Sequence, residues 1–418
     1  MDASLQNGRV IVALCCIFGL VNAACAAEDS DTEELVLVIT TPTRTNISIS
    51  DAPAAVTVVT DKEIKAKNVS RLGDVLDQVP SLYLRDGALG QSQGTSGTSG
   101  MSLRGVDQSR TLILLDGQPI QDARSGKVNW RVPFVDDIAH VEVVPGSFSS
   151  LYGSNAIGGV INIITKQPDR HEFSAKVKKG WGDASGEDAS IYAREKLDNG
   201  LGITAGLGYQ NRDSYVNDFV IKACPLVGGV CTWPVPSGTA VTVTGAQPTT
   251  TRDGTPAYLV GDKGTTPWNS ANATVKLYYD LNDRDKLYTG ILYQKIDQGY
   301  TRFNTYLRDG AGNPVWSGPV DINGNGVTLS ESNFVNNSPL HEAATRYFVG
   351  YDGTIGNDYS LKVDLAKIKR AYSFTFAGST VATTWNGGPG SLFDTPNTGL
   401  DGTAQLTFPV GSRQVLVA

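Results

Sequence analysis

Residues 201–210, LGITAGLGYQ, alternate without a break: Leu201, Ile203, Ala205, Leu207 and Tyr209 fall on one face, glycine and polar residues on the other. Successive side chains of a strand point to opposite sides, so a period of two specifies a strand with one apolar face. The pattern recurs at 271–281, where Ala271, Ala273, Val275, Leu277 and Tyr279 oppose Asn272, Thr274, Lys276 and Asp280, and again at 359–365 and 400–408. Each run is about ten residues long, the length that crosses a bilayer as a tilted strand, whereas strands of a soluble sandwich are nearer five or six. The turn-like stretches LDNG (197–200), NDRD (282–285) and TIGN (354–357) alternate with long polar segments at about 212–268, 297–341 and 371–396. Short turns at one end and long loops at the other is the arrangement of an outer-membrane barrel. Tyr209, Tyr279, Tyr351 and Tyr359 fall near strand ends, where an aromatic girdle belongs.

Charged residues make up only 18% of the 418, against 46 Gly and 16 Tyr, which suits β structure better than helix. The net charge of −7, with no long basic stretch, argues against nucleic acid as a partner. Residues 1–27 read as a secretory leader: Arg9, an apolar run from Val10 to Val21, then the small residues AACAA with cleavage near Ala26 or Ala27. A lipid anchor on Cys25 is disfavoured by Asn22, which stands where such signals carry an aliphatic residue. Beyond the leader no 18 consecutive residues are apolar, so a spanning helix is excluded and a barrel is the remaining way through a membrane. Cys224 and Cys231 are the cysteines left after the leader; in an oxidising compartment they read as a loop disulfide, since a metal site would need further His or Cys nearby.

Residues 53–166 carry mixed signals and read as a compact α+β domain. PAAVTVVT (53–60), LYL (82–84), MSLRG (101–105), TLILLDGQPI (111–120) and AHVEVV (139–144) are strand segments. Asp61 is placed as the cap of a short helix, KEIKAK, and Ser70 as the cap of a second, with Leu72, Val75, Leu76 and Val79 on one face and Pro80 ending it. SSLYG (149–153) is one helical turn closed by Gly153. GSNAIGGVINIITK (153–166) has the glycine spacing of a phosphate loop, but Gly159 and Val160 stand where Lys and Ser or Thr would be required, and a β-branched strand follows instead of a helix. No nucleophile with a base is recognisable: His140, His171 and His341 lack a Ser or Cys elbow, and His140 reads as a strand residue at the domain edge. The chain is therefore read as no enzyme, with no catalytic residue, no metal site and no cofactor.

MSLRG, TLILLDGQPI and DDIAHVEVVPGSFSSLYGSNAIGGVINIITK (136–166), taken in order, resemble the plug domain of TonB-dependent outer-membrane receptors, over about 35–166. The resemblance implies an α+β plug domain (53–166) followed by antiparallel transmembrane β-barrel strands (167–418), part of an incomplete 22-stranded barrel, because a plugged lumen needs about 22 strands. Residues 28–52 are then an exposed N-terminal segment in the periplasm. EELVLVIT (33–40) resembles the TonB box, so Glu34, Leu35, Val36, Leu37, Val38, Ile39 and Thr40 are expected to add as an edge strand to TonB, driven by the ExbB–ExbD inner-membrane motor. An ordinary first strand of the plug is the alternative for this stretch. Arg104 matches the arginine of the family's RG motif, which implies an ion pair with acidic groups of the barrel wall; Pro145 departs from the Arg usual in VxRG, so a second such pair is not implied, and Pro145 is placed just after the last paired residue of its strand.

The function implied is active uptake of a scarce metal chelate, iron–siderophore or cobalamin-like, across the outer membrane of a Gram-negative cell, with outer-membrane lipid as surroundings and no nucleic-acid partner. Haem is least favoured, since no His lies in a recognisable loop motif. Plug loops 86–100 and 122–132 face outward by resemblance, and Gln91, Gln93, Arg124, Asn129 and Trp130 are the groups able to meet a chelate. The alternatives are a truncated, non-transporting remnant of such a receptor and a secreted β-rich binding protein. Eight strands are expected from residue 172 onward with a ninth beginning at RQVLVA, which is the basis for expecting an incomplete barrel.

Overall fold

The computed structural model describes residues 38–418 except 78, 85–100, 123–125, 127, 129–134, 183–184, 214–215, 217, 266, 300–302, 335–339, 357–358, 378–389, 411–413 and 418. Two sheets organise them. The smaller contains β1 (Thr57–Thr60), β2 (Thr111–Leu115), β3 (Gln118–Pro119), β4 (Ile138–Pro145) and β5 (Gly159–Thr165), in the order β1-β4-β5-β2-β3. β5 is central, parallel to β2 and antiparallel to β4. β2 is buried on both faces, which is why TLILL is continuously apolar instead of alternating. Ile113 and Leu115 join the main core with Leu72, Leu76, Val141 and Ile161, while Leu112 and Leu114 meet Val160 and Ala156 on the other side.

Helix α1 (Asp61–Ala66) begins one residue earlier in its chemistry than expected. Thr60, not Asp61, is the cap: the Glu63 amide donates to the Thr60 hydroxyl, and the Thr60 amide donates to the Glu63 carboxylate. Helix α2 (Leu72–Leu76) buries Leu72, Val75 and Leu76, with Val79 buried just beyond its end. Ser70 is not its cap; the Ser70 hydroxyl instead donates to Asp188 of the larger sheet at 2.6 Å. Helix α3 (Ser149–Tyr152) stops on Gly153 at φ +75°. Gly159 has φ +142°, and a Cβ there would lie 2.5 Å from the Val144 carbonyl oxygen. The glycines of GSNAIGGV thus serve close backbone packing. Pro145 lies opposite Gly159, inside the pairing and not after it. His140 lies on β4, the second strand of the sheet and not its edge.

The larger sheet runs through β6 (Glu172–Gly180), β7 (Gly186–Lys196), β8 (Leu201–Arg212), β9 (Trp268–Asp280), β10 (Lys286–Gln298), β11 (Leu340–Ile355), β12 (Tyr359–Ala377), β13 (Asn397–Val410) and β14 (Gln414–Val417), each antiparallel to the next. Number and order match the sequence expectation; the short strand Gly390–Asp394, which pairs with β12, was not expected. On β9, Val275, Leu277 and Tyr279 are 40–49% exposed, whereas Thr274, Lys276 and Tyr278 are at most 5% exposed. The apolar side faces away from the molecule and the polar side faces the α+β unit, the inverse of a soluble sandwich and the pattern of a lipid-facing wall. Tyr279 and Tyr359 are exposed at the short-turn end, as a girdle requires.

The long polar segments 212–268 and 297–341 are not simple loops. Phe219–Ala223, Gln247–Thr250, Pro256–Asp262 and Asn304–Thr305 form one small sheet; Val241–Thr242, Gly318–Ile322 and Asn325–Leu329 form another. Val220, Val260, Leu307, Val320 and Phe334 make a core of their own, with the Trp316 ring edge-on to Phe303 and Phe334 at 5.3 and 5.2 Å. Each segment supplies only part of that core, from apolar residues scattered among Gly, Pro and Thr, so neither shows a period alone. Cys224 and Cys231 are joined, closing the hairpin Leu226–Val227/Val230–Cys231 within the first segment. Intact mass and peptide mapping without reductant should find this bond. Cys224→Ser with Cys231→Ser should lower the stability of this subdomain by about 2–3 kcal/mol, the closure entropy of so short a loop, without unfolding the wall strands.

Candidate functional site: the seam and the N-terminal clasp

The first described residues are tied down by one buried carboxylate. Glu142 on β4 is fully buried and accepts from the Thr40 amide (3.2 and 3.1 Å) and the Thr41 amide (2.8 Å). His140, two residues along the same strand and so on the same face, donates from Nε2 at 3.0 Å. Burial works against the Glu142 charge, but the His140 and Thr40–Thr41 hydrogen bonds outweigh it and hold the carboxyl below its usual range. Val38–Ile39 pairs with Ile47–Ser48, and Ile39 is fully buried. Between them the chain turns back, with the Arg44 amide donating to the Thr40 carbonyl at 2.7 Å and Arg44 at φ +61°. The Tyr152 hydroxyl donates to the Thr41 carbonyl at 2.9 Å, and the Arg44 guanidinium lies 5.2 Å from the Tyr152 ring centroid. Burial pushes the Tyr152 hydroxyl well above its usual range, which keeps it a donor. Gln405 on β13 holds the Arg44 carbonyl at 2.8 Å, so the clasp reaches the wall.

The seam between the α+β unit and the wall is polar and buried. Lys276, 1% exposed, donates to both Asp137 oxygens at 2.8 Å and to the Thr165 hydroxyl at 2.7 Å. Burial pushes the Asp137 carboxyl up, and the Lys276 ammonium opposes that. Asp136 meets Lys176 and accepts from Ser190 at 2.6 Å. Lys178 donates to the Asn68 and Val69 carbonyls at 2.9 and 3.0 Å. Farther along, Asp122 meets Arg370 at 3.6 Å and Asn397 at 3.1 Å, and Gln118 donates to Thr403 at 3.0 Å. Charged groups placed this way need partners to be tolerated, and they fix the register of one body against the other.

The sequence expectations fare unequally here. Val38, Ile39 and Thr40 are described and are docked, so the segment expected to be freely exposed through residue 52 is held from Ile39 onward; Glu34, Leu35, Val36 and Leu37 lie outside the described residues. Arg104 is exposed at φ +50°, with its amide donating to the Ser81 carbonyl at 2.8 Å. Among the described residues it makes no ion pair with the wall; that role falls to Asp137, Asp136 and Asp122, whose partners stand far away in sequence. Gln91, Gln93, Arg124, Asn129 and Trp130 lie outside the described residues. Glu142 and Lys276 were missed as site residues. For Glu142 the available signal was a charged residue inside the mostly apolar strand AHVEVV, which must find a partner if buried; Lys276 sits on the polar face of its strand and carried no such signal.

Residues 48–160 match the family described as TonB-dependent Receptor Plug Domain. That match falls on the α+β unit. Over 176 residues, 40% of this chain and 25% of the relative, the chain is 32% identical to the iron-regulated outer membrane virulence protein of Vibrio cholerae. It is 30% identical to the vitamin B12 transporter BtuB of Vibrio vulnificus over 45% of this chain and 30% of that one. In fold it matches the ferric enterobactin receptor PfeA of Pseudomonas aeruginosa with a TM-score of 0.60 at 18% identity, covering 88% of this chain and 48% of that one. FpvA of P. aeruginosa, solved with bound pyoverdines, matches with a TM-score of 0.57 at 19% identity over 90% and 43%. The chain thus spans less than half the length of the receptors it matches. The α+β unit is the plug, the larger sheet is barrel wall, and the fold is that of a Gram-negative outer-membrane receptor. Of these relatives, BtuB is named as a transporter and PfeA as a receptor.

Proposed function

We propose that this chain is the plug and adjoining wall of an energy-coupled outer-membrane receptor for a scarce metal chelate, of the iron–siderophore or cobalamin type. The observation that carries the reading is the clasp: the stretch resembling the TonB box runs directly into residues tied to the plug sheet by Glu142. A pull on residues 34–40 from TonB, powered by ExbB–ExbD, is delivered to β4, the strand that pairs with β1 and β5. The short turns face the periplasm, and the folded parts of the two long segments, 219–262 and 304–334, face outward. Capture of the ligand uses outward plug loops, with Gln91, Gln93, Arg124, Asn129 and Trp130 as its contacts, and involves no bond chemistry. An isolated secreted binding protein is disfavoured by the row of exposed apolar residues on strands of eleven to nineteen residues.

Val38→Pro tests this reading. Proline removes a backbone donor and forbids edge pairing. Energised uptake of radiolabelled iron chelates by cells relying on this receptor should be abolished while de-energised surface binding is unchanged. Uptake at the normal rate would show that residues 34–40 are not where TonB engages.

A further inference from the structure

On the short-turn side of the seam lies a cavity of about 590 Å³. Asp116–Gln118 and Asn162 of the plug form one face and Tyr288, Arg346, Asp364 and Thr403 of the wall form another; Thr40 and Arg44–Asn46 of the clasp close a third side. Arg346 on β11 is only 7% exposed, yet its Nε and Nη1 have no hydrogen-bond partner among the described residues. Its guanidinium lies 5.9 Å from the Phe348 ring centroid. Three carboxylates lie close enough to act on its charge, Asp116, Asp401 and Asp364, but none is hydrogen-bonded to its Nε or Nη1: Asp116 accepts from the Thr165 amide and hydroxyl, both at 2.8 Å, and Asp364 accepts from the Tyr288 hydroxyl. The other buried cations differ. Lys166, Arg194 and Lys276 each have a carboxylate within 3.5 Å. A buried guanidinium with both edges unmet is costly unless an anion satisfies it.

We propose that this cavity is an oxyanion site, in which Arg346 receives a carboxylate or chemically similar oxygen group on the short-turn side of the plug. It rests on the uptake reading to the extent that the anion is carried by the cargo; a free carboxylate would meet the same guanidinium. Arginine suits the task because it stays charged at any working pH and offers donors along two edges. One side of the cavity is the clasp itself, so displacement of residues 40–46 would open the site toward the short turns.

Calorimetric titration of the detergent-purified chain at low ionic strength tests it, with citrate, ferric citrate and glycerol as probes. Citrate or ferric citrate should bind saturably and glycerol should not. Arg346→Gln should weaken citrate by at least about tenfold, the loss of a charge-assisted contact, and Arg346→Lys by less. Ferric citrate bound more tightly than citrate assigns the site to cargo in transit; the reverse order assigns it to a free oxyanion. Arg346→Gln should leave the melting temperature unchanged or raised, because it removes an unpaired buried charge. Citrate binding that ignores Arg346, or a melting temperature lowered by Arg346→Gln, would overturn the proposal. Failed chelate uptake with Arg346-dependent citrate binding intact would count against the receptor reading alone.

Discussion

Replacing Lys276 by methionine should cost about 3–5 kcal/mol in the stability of the plug–wall seam, because it strands Asp137 as a buried charge without a partner. Lys276 is 1% and Asp137 3% exposed at the side chain, so neither has water to fall back on. The double variant Lys276→Met/Asp137→Leu should recover most of the loss, since removing both charges also removes their desolvation. The single variant should also acquire a pH dependence of definite sign. Burial raises the Asp137 carboxyl in the folded state, and without the ammonium to oppose it the folded protein binds a proton that the unfolded chain releases. Its stability should therefore fall as pH rises from the ordinary carboxylate range toward neutrality. Urea unfolding in detergent at several pH values checks both claims. A flat profile, or a double variant as damaged as the single, would mean that the pair does not hold the seam.

Glu142→Ala should release the clasp. The Thr40 and Thr41 amides would lose their acceptor in a buried place, at about 1–3 kcal/mol for each unmet group, so their hydrogen exchange should speed up on the order of a hundredfold. Glu142→Gln keeps one carbonyl oxygen and should give a smaller effect. In the unaltered protein the Glu142 carboxyl is held below its usual range. Its contribution is therefore complete above the unfolded carboxylate pKa, about 4.3, and is lost as pH falls through the depressed folded value. Docking of residues 38–48 should be constant from pH 8 to about 5 and weaken only in stronger acid. Loosening between pH 8 and 5 would contradict this account.

Much of the wall was legible because its physics is local. Outward residues such as Val275 and Leu277 must be apolar and inward ones such as Thr274 and Lys276 need not be, so a period of two survives in each strand. The plug was legible through glycines whose positions the backbone dictates, as at Gly159 opposite Pro145. The seam was not. Lys276 and Asp137 are separated by 139 residues and Gln405 and Arg44 by 361, and no local pattern encodes which distant strand a carboxylate will meet. Ser70 illustrates the ambiguity: a serine before a helical period reads as a cap, and here the larger sheet claims its hydroxyl. The subdomain built from 219–262 and 304–334 was missed for a related reason, since its core exists only once the two segments come together.

The most direct test of the clasp as the place where energy enters is hydrogen exchange on the chain in outer-membrane vesicles, with and without the periplasmic domain of TonB. Strand addition at residues 34–40 competes with the pairing of Val38–Ile39 to Ile47–Ser48 and with the Glu142 bonds to Thr40 and Thr41. The expected result is that residues 34–38 gain protection while the Thr41 amide and the Ile47–Ser48 strand lose it, with Val38→Pro abolishing both changes. Protection gained at 34–38 with no change at Thr41, or no protection gained at all, would contradict it.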